Sequence, residues 1–220
     1  MDNLSGQFWK DNGTNITQSA VASAGYSMEM KSSSGIMVNL NHAYDFLADT
    51  FYLSNDDVIA YVPSGSYNYN FATVYLHTPY TKNVYFEVTS NMGEFYDGNQ
   101  LTVLFATTLK FGALLSLSPS YEYDRIRFPS RNQAFDGQIA GMKAILMLNN
   151  KLSISAQVQY SNIAHGMLTN IRLRYNPKEG NDLYIVFNEG RNIQLDRVSP
   201  SLNPVANRGV LLKYTYTFIL

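Results

Sequence analysis

The chain has 220 residues, enough for one β-barrel, one β-sandwich or two small domains. Sixteen Lys and Arg stand against seventeen Asp and Glu, a formal charge of −1, so no net charge draws the chain to nucleic acid or to an anionic membrane. Charged residues make up only 15%, well below the roughly 25% of an ordinary soluble domain, whereas Tyr and Phe lift the aromatic share to 14%. With no cysteine, disulfide frameworks and thiolate metal sites are excluded.

MDNLSGQFWK opens the chain with neither a basic n-region nor an apolar h-region, so the sequence reads as a mature form or the tail of a longer precursor. A first short strand is expected around Gln7, Phe8 and Trp9, then a polar stretch over Asp11–Ser19. The sequons at Asn3, Asn12 and Asn15 are short enough to arise by chance. Val21–Lys31 and Ile36–Leu47 read as strands joined by the turn Ser32–Gly35. A long connection, Ala48–Gly65, carries Asn55-Asp56-Asp57 and leads to a strand over Tyr67–Thr78.

Val84–Ser90 alternates Val84, Phe86 and Val88 with Tyr85, Glu87 and Thr89. Gly93–Gln100 reads as a loop tipped by Asp97-Gly98. Leu101–Leu109 and Ala113–Phe128 flank a turn at Lys110–Gly112, and Pro129–Gln138 reads as a second long loop. Ile139–Leu148 turns through Asn149-Asn150-Lys151 into the cleanest alternation of the chain, Leu152–Tyr160. Met167–Asn176 and Asp182–Gly190 follow, joined at Lys178–Asn181, with a last long loop over Arg191–Arg208. The terminal strand, Gly209–Leu220, sets Val210, Leu212, Tyr214, Tyr216, Phe218 and Leu220 on one apolar, aromatic face.

No stretch sustains a helical apolar period, and no run approaches the ~20 apolar residues of a transmembrane helix. About twelve strands with connections read as alternately short and long point to an antiparallel, up-and-down transmembrane β-barrel, or the C-terminal part of a larger one. The expected lipid face of the terminal strand is the apolar set just given. Glu29, Glu87, Glu122, Asp124, Arg172, Arg174 and Lys213 share parity with polar neighbours and are expected to face the lumen. In a soluble sandwich the same residues form the solvated face. Lys143 lies among Ile139, Ile145 and Met147 and takes no firm face.

Several blocks together resemble one family of bacterial outer-membrane barrel proteins of unknown function. They are Gly93–Asn99, Tyr123–Pro129, Arg131-Asn132-Gln133, Val158-Gln159-Tyr160, Leu173–Tyr184, Phe187–Gly190 and Leu211–Phe218. The likeness is strongest over residues 50–220. Longer members of that family carry an N-terminal domain resembling family-9 carbohydrate-binding modules ahead of a C-terminal barrel. The resemblance implies that this chain is a single barrel domain, or the tail of a larger barrel, with no catalytic residues to carry over.

Chemistry is sparsely marked. His42, His77 and His165 have no carboxylate or second histidine at ligand spacing, and no G-x-S-x-G elbow marks a serine. Scattered glycines make no phosphate loop, and the basic residues are too dispersed for nucleic acid. Glu122 and Asp124 with Arg172 and Arg174 are candidates for a charged constriction, against internal ion pairs as the plainer reading. The Tyr-rich stretch Tyr61–Tyr69 and the loop Arg131–Asp136 are candidate sugar-stacking segments. The function expected is non-enzymatic: a pore, or a membrane anchor linked to carbohydrate binding or uptake, without metal or cofactor. Its expected partners are outer-membrane lipid, the barrel-assembly machinery during insertion, and small solutes or carbohydrate. The alternatives are an outer-membrane enzyme with a rim site and a soluble β-sandwich binding module.

Overall fold

Alternation of apolar and polar side chains is realised as an antiparallel, up-and-down sheet in which each of twelve strands pairs with the next. The computed structural model describes residues 2–11, 13, 17–53 and 60–217. Asn12, Asn15, Asn55-Asp56-Asp57, Phe218 and Leu220 lie outside the described residues. The strands are β1 (Asp2–Lys10), β2 (Thr17–Glu29), β3 (Gly35–Leu47), β4 (Phe51–Tyr52), β5 (Tyr61–Val62), β6 (Gly65–His77) and β7 (Val84–Phe95). They continue with β8 (Gly98–Phe111), β9 (Leu115–Phe128), β10 (Gln133–Met147), β11 (Leu152–Ser161), β12 (Gly166–Lys178), β13 (Asn181–Asn192) and β14 (Val205–Tyr216). The short β4–β5 ribbon stands apart from the main order. Among the described residues helix is confined to two single 3-10 turns, Pro129–Arg131 and Leu195–Arg197, and none is long and apolar enough to cross a membrane.

Two of the expected long loops are absent. β7 and β8 meet through Tyr96 and Asp97 alone, and β9 and β10 through residues 129–132. Gly and Asp in these stretches look like loop punctuation, but here they serve strand geometry. Gly93 takes φ +135, and a Cβ there would lie 2.7 Å from the Asn70 carbonyl oxygen. Gly98 lets β8 pass against the Arg127 carbonyl and the Phe128 ring. The strict alternation of short and long connections is therefore replaced by mostly tight turns, with long connections only at 48–64 and 193–204.

Gly98→Ala is expected to cost about 1–3 kcal/mol, because backbone and a packed ring would both have to shift. Gly209→Ala, where nothing lies within 4 Å of the added carbon, is the control and changes little. Unfolding midpoints of the two variants in urea check this.

The chain forms two compact units. The first comprises Met1–Tyr80, Phe86–Phe105 and Glu122–Gly137; the second comprises Thr81–Tyr85, Ala106–Tyr121 and Gln138–Leu220. In each, directly opposed residues share a sheet face, so register fixes which side chains stand together. In the second unit Lys143 opposes Gln157, Gln157 opposes Asn170, and Asn170 opposes Asn188. Its other face carries Leu152, Ile154, Ala156, Val158 and Tyr160 against Tyr175, Leu173, Ile171, Thr169 and Met167. Lys143, ambiguous by sequence, stands on the polar face.

The one buried apolar cluster among the described residues belongs to the first unit. Ala60, Val62, Ile126 and Phe128 are buried, with Leu47, Leu53, Tyr67, Phe95 and Phe135 packed around them. It stands on the polar face, because Leu47 and Tyr67 share parity with the residues of that face and Leu53, Ala60 and Val62 pack against them.

Candidate functional site

Three constructions on the polar faces carry the chemistry of this chain. The first, in the first unit, is a neutral hydrogen-bond ladder across four strands. Ser23 donates to Asn41 at 2.7 Å, Asn41 to Thr73 at 3.1 Å, and Thr73 to Asn91 at 2.8 Å. Ser23 is in register with Asn41 and Thr73 with Asn91, whereas Asn41 is in register with Phe71 and reaches Thr73, two residues on and on the same face, diagonally. Such a ladder uses the alternating polar positions to join strands on the face where no apolar layer covers them.

The second is a clamp around Arg131. Its guanidinium donates twice to the Asp97 carboxylate, once to the Tyr61 carbonyl oxygen at 2.8 Å and, through Nε, to Gln133 at 3.3 Å. The same group lies 4.5 Å from the Phe128 ring centroid and 5.4 Å from that of Tyr61. Planar geometry and five donors make arginine the residue able to serve a carboxylate, a carbonyl and two rings at once. The Asp97 carboxylate beside it raises its pKa further above the ordinary arginine range. The clamp joins the β5 ribbon, the β7–β8 turn and the β9–β10 turn.

Next to the clamp, Tyr96 takes a left-handed φ of 52, uncommon for a bulky residue. It is held by rings: Phe95 at 4.7 Å edge-on, Tyr69 at 5.2 Å and Tyr67 at 5.3 Å. Burial, followed by the Asp45 charge, raises the Tyr96 pKa. Tyr69 donates to Asp45 at 2.5 Å and Tyr67 to the Pro63 carbonyl at 2.7 Å. The Tyr61–Tyr69 stretch is thus mostly strand, and its rings are engaged within the fold rather than presented as a loop.

The third is the polar face of the second unit, where a shallow cavity of about 270 Å³ is lined by Gln157, Gln159, Leu168, Asn170, Asn188 and Asn207 among others. Arg172 opposes Ser155 and Val186, and Arg174 opposes Ser153 and Tyr184, which in turn opposes Lys213. Arg174 pairs with Asp182 at 2.8 Å, and Asn176 donates to the same carboxylate at 3.1 Å.

The expected lumen set divides between the units. Glu87 opposes His77 in the first unit and accepts from Tyr75 at 3.2 Å. Glu122 and Asp124 also belong to the first unit and share parity with Ile126 and Phe128 of the buried cluster. Arg172, Arg174 and Lys213 belong to the second. Of the terminal-strand set, Val210, Leu212, Tyr214 and Tyr216 are all exposed and oppose Phe187, Ile185, Leu183 and Asn181.

The histidines are spread apart in role. His42 Nδ1 lies 2.9 Å from Asn70 Oδ1, His77 stacks between Tyr75 and Tyr80, and His165 takes a positive φ in the β11–β12 turn. No group of three His, Cys, Asp or Glu able to hold a metal occurs among the described residues. The Arg131–Asp97 clamp had no sequence signal, since its partners are 34 residues apart and meet only through the sheet order. No protein-family model, curated protein or solved structure was found to match the chain.

Proposed function

We propose that this chain is a non-enzymatic outer-membrane β-barrel protein, acting as a pore or as a membrane anchor, with carbohydrate binding or uptake as the role suggested by its family resemblance. One observation carries the reading: in each unit most large exposed apolar side chains within strands share a sheet face, with Trp9, Met147, Leu168 and Leu211 among the exceptions, while most amides, hydroxyls and charges occupy the other. On β11 the apolar face runs from Leu152 to Tyr160, and on β12 from Met167 to Tyr175. Nine or so residues is the length with which a tilted strand crosses the hydrocarbon core. A charged cluster stands on the apolar face toward one end of that band, where Glu189, opposite Thr169, is paired with Arg208 at 2.5 Å and Arg191 at 3.6 Å. Tyr160, Tyr175, Tyr214 and Tyr216 lie near the band's edges, where aromatic girdles form. On this reading the apolar face meets outer-membrane lipid after delivery by the barrel-assembly machinery.

The absence of cysteine makes the test direct. Single cysteines at 156, 157, 158 and 159, spin-labelled after refolding into lipid vesicles, should alternate: 156 and 158 accessible to oxygen, 157 and 159 to a water-soluble nickel chelate. A chain that stays folded and monomeric in plain buffer, or labels of uniform water accessibility, sinks the membrane reading in favour of a soluble sheet protein.

A further inference from the structure

The near-neutral charge of the whole chain conceals a division. By sequence, the first unit holds thirteen Asp and Glu against five Lys and Arg, and the second holds four against eleven. Formal charges of −8 and +7 thus reside in separate bodies of a chain whose total is −1. Surfaces of ordinary domains intersperse the two signs.

Within the second unit, register sorts the charges further. Lys143, Arg172, Arg174 and Lys213 all stand on the polar face of β10, β12 and β14. Asp182 is the carboxylate on that face of β13, and Arg174 and Asn176 already occupy it. Glu189 belongs to the opposite face, where Arg208 and Arg191 take it. Lys143, Arg172 and Lys213 have no ion-pair or hydrogen-bond partner among the described residues.

Their spacing follows from sheet geometry. Arg172 and Arg174 are about 7 Å apart along β12, and β10 and β14 each lie two strand spacings, about 10 Å, from it. All four cations therefore lie within one or two screening lengths of a solute on this face. Ser153, Ser155 and Gln157 stand between them as neutral hydrogen-bond donors.

We infer that the polar face of the second unit is a binding surface for small anionic solutes bearing carboxylate, sulfate or phosphate groups, with Lys143, Arg172 and Lys213 as its unpaired cations. This rests on the barrel reading, under which the face lines the lumen and is screened from bulk lipid. It assigns the cargo a sign that the overall charge of the chain conceals.

The full chain refolded in a neutral detergent tests it, with the trisulfonated dye pyranine as probe and fluorescence anisotropy as readout, against micelles without protein. Pyranine should bind, tripolyphosphate should displace it, and raising salt from about 50 to 500 mM should weaken it. The triple variant K143Q/R172Q/K213Q should bind at least about tenfold more weakly, whereas R172K should keep most of the affinity. Heat-modifiable gel mobility, read on every variant, separates lost binding from lost folding. A folded, heat-modifiable wild type that ignores pyranine overturns the inference alone, as does a folded triple variant that binds undiminished. A wild type that yields no heat-modifiable species in detergent overturns the barrel reading and this inference with it.

Discussion

Arg131→Ala is expected to lower the stability of the first unit by about 2–3 kcal/mol, the largest effect of any single truncation outside the strands. Three physical losses combine. Asp97, whose side chain is 32% exposed, keeps its charge but loses a two-fold donor. The Tyr61 carbonyl loses its 2.8 Å donor, and the rings of Phe128 and Tyr61 lose the cation against them. The partial exposure of Asp97 keeps the cost below that of a fully buried broken pair. Asp97→Asn should cost less, because the amide oxygen still accepts one bond from the guanidinium. Arg131→Lys should resemble alanine more than arginine, since an ammonium cannot serve carboxylate and carbonyl in one plane. Urea unfolding followed by tyrosine fluorescence orders the three variants. Equal midpoints for Arg131→Ala and wild type would mean that the clamp holds nothing together.

That clamp also marks where a reader of the sequence loses the trail. Side-chain parity is a local property, so the faces of Leu152–Tyr160, of Arg172 and Arg174, and of Val210–Tyr216 were legible from alternation alone. Connection length was not. Gly93, Asp97, Gly98 and Asn132 carry the residue types of loops, yet Gly93 and Gly98 lie within β7 and β8, and Asn132 merely closes a four-residue link through a left-handed φ of 52. Glycine placed for close backbone approach reads the same in sequence as glycine placed for a turn. Lys143 was ambiguous for another reason: its apolar same-face neighbours Ile139 and Ile145 hid a face that Gln157 and Asn170, from other strands, define. Most of the charge division lay in the sequence, where residues 1–137 hold thirteen Asp and Glu against seven Lys and Arg and residues 138–220 hold four against nine, but the whole-chain total hides it.

Face-specific response to a buried charge is the second large effect, and it separates a membrane sheet from a soluble one. Ile171 stands at the middle of the apolar run Met167–Tyr175, opposite Ala156 and Phe187, and is 39% exposed. Asn170, its neighbour, stands on the polar face opposite Gln157 and Asn188. In a bilayer, Ile171→Arg places a cation at the hydrocarbon midplane and costs about 2–4 kcal/mol. Asn170→Arg adds a cation to a hydrated face, where a surface substitution shifts stability by about 0.5 kcal/mol or less. In a soluble sheet a side chain as exposed as Ile171 would tolerate arginine nearly as well as Asn170 does, because its guanidinium would reach water. Urea-driven folding into vesicles, measured for both variants, reads the difference. A gap of about 2 kcal/mol or more between adjacent residues, measured for a monomer folded into vesicles, is the result expected of a hydrocarbon phase on one side of the sheet. Two equal, small effects would place water on both sides of the sheet at this position and sink the membrane reading.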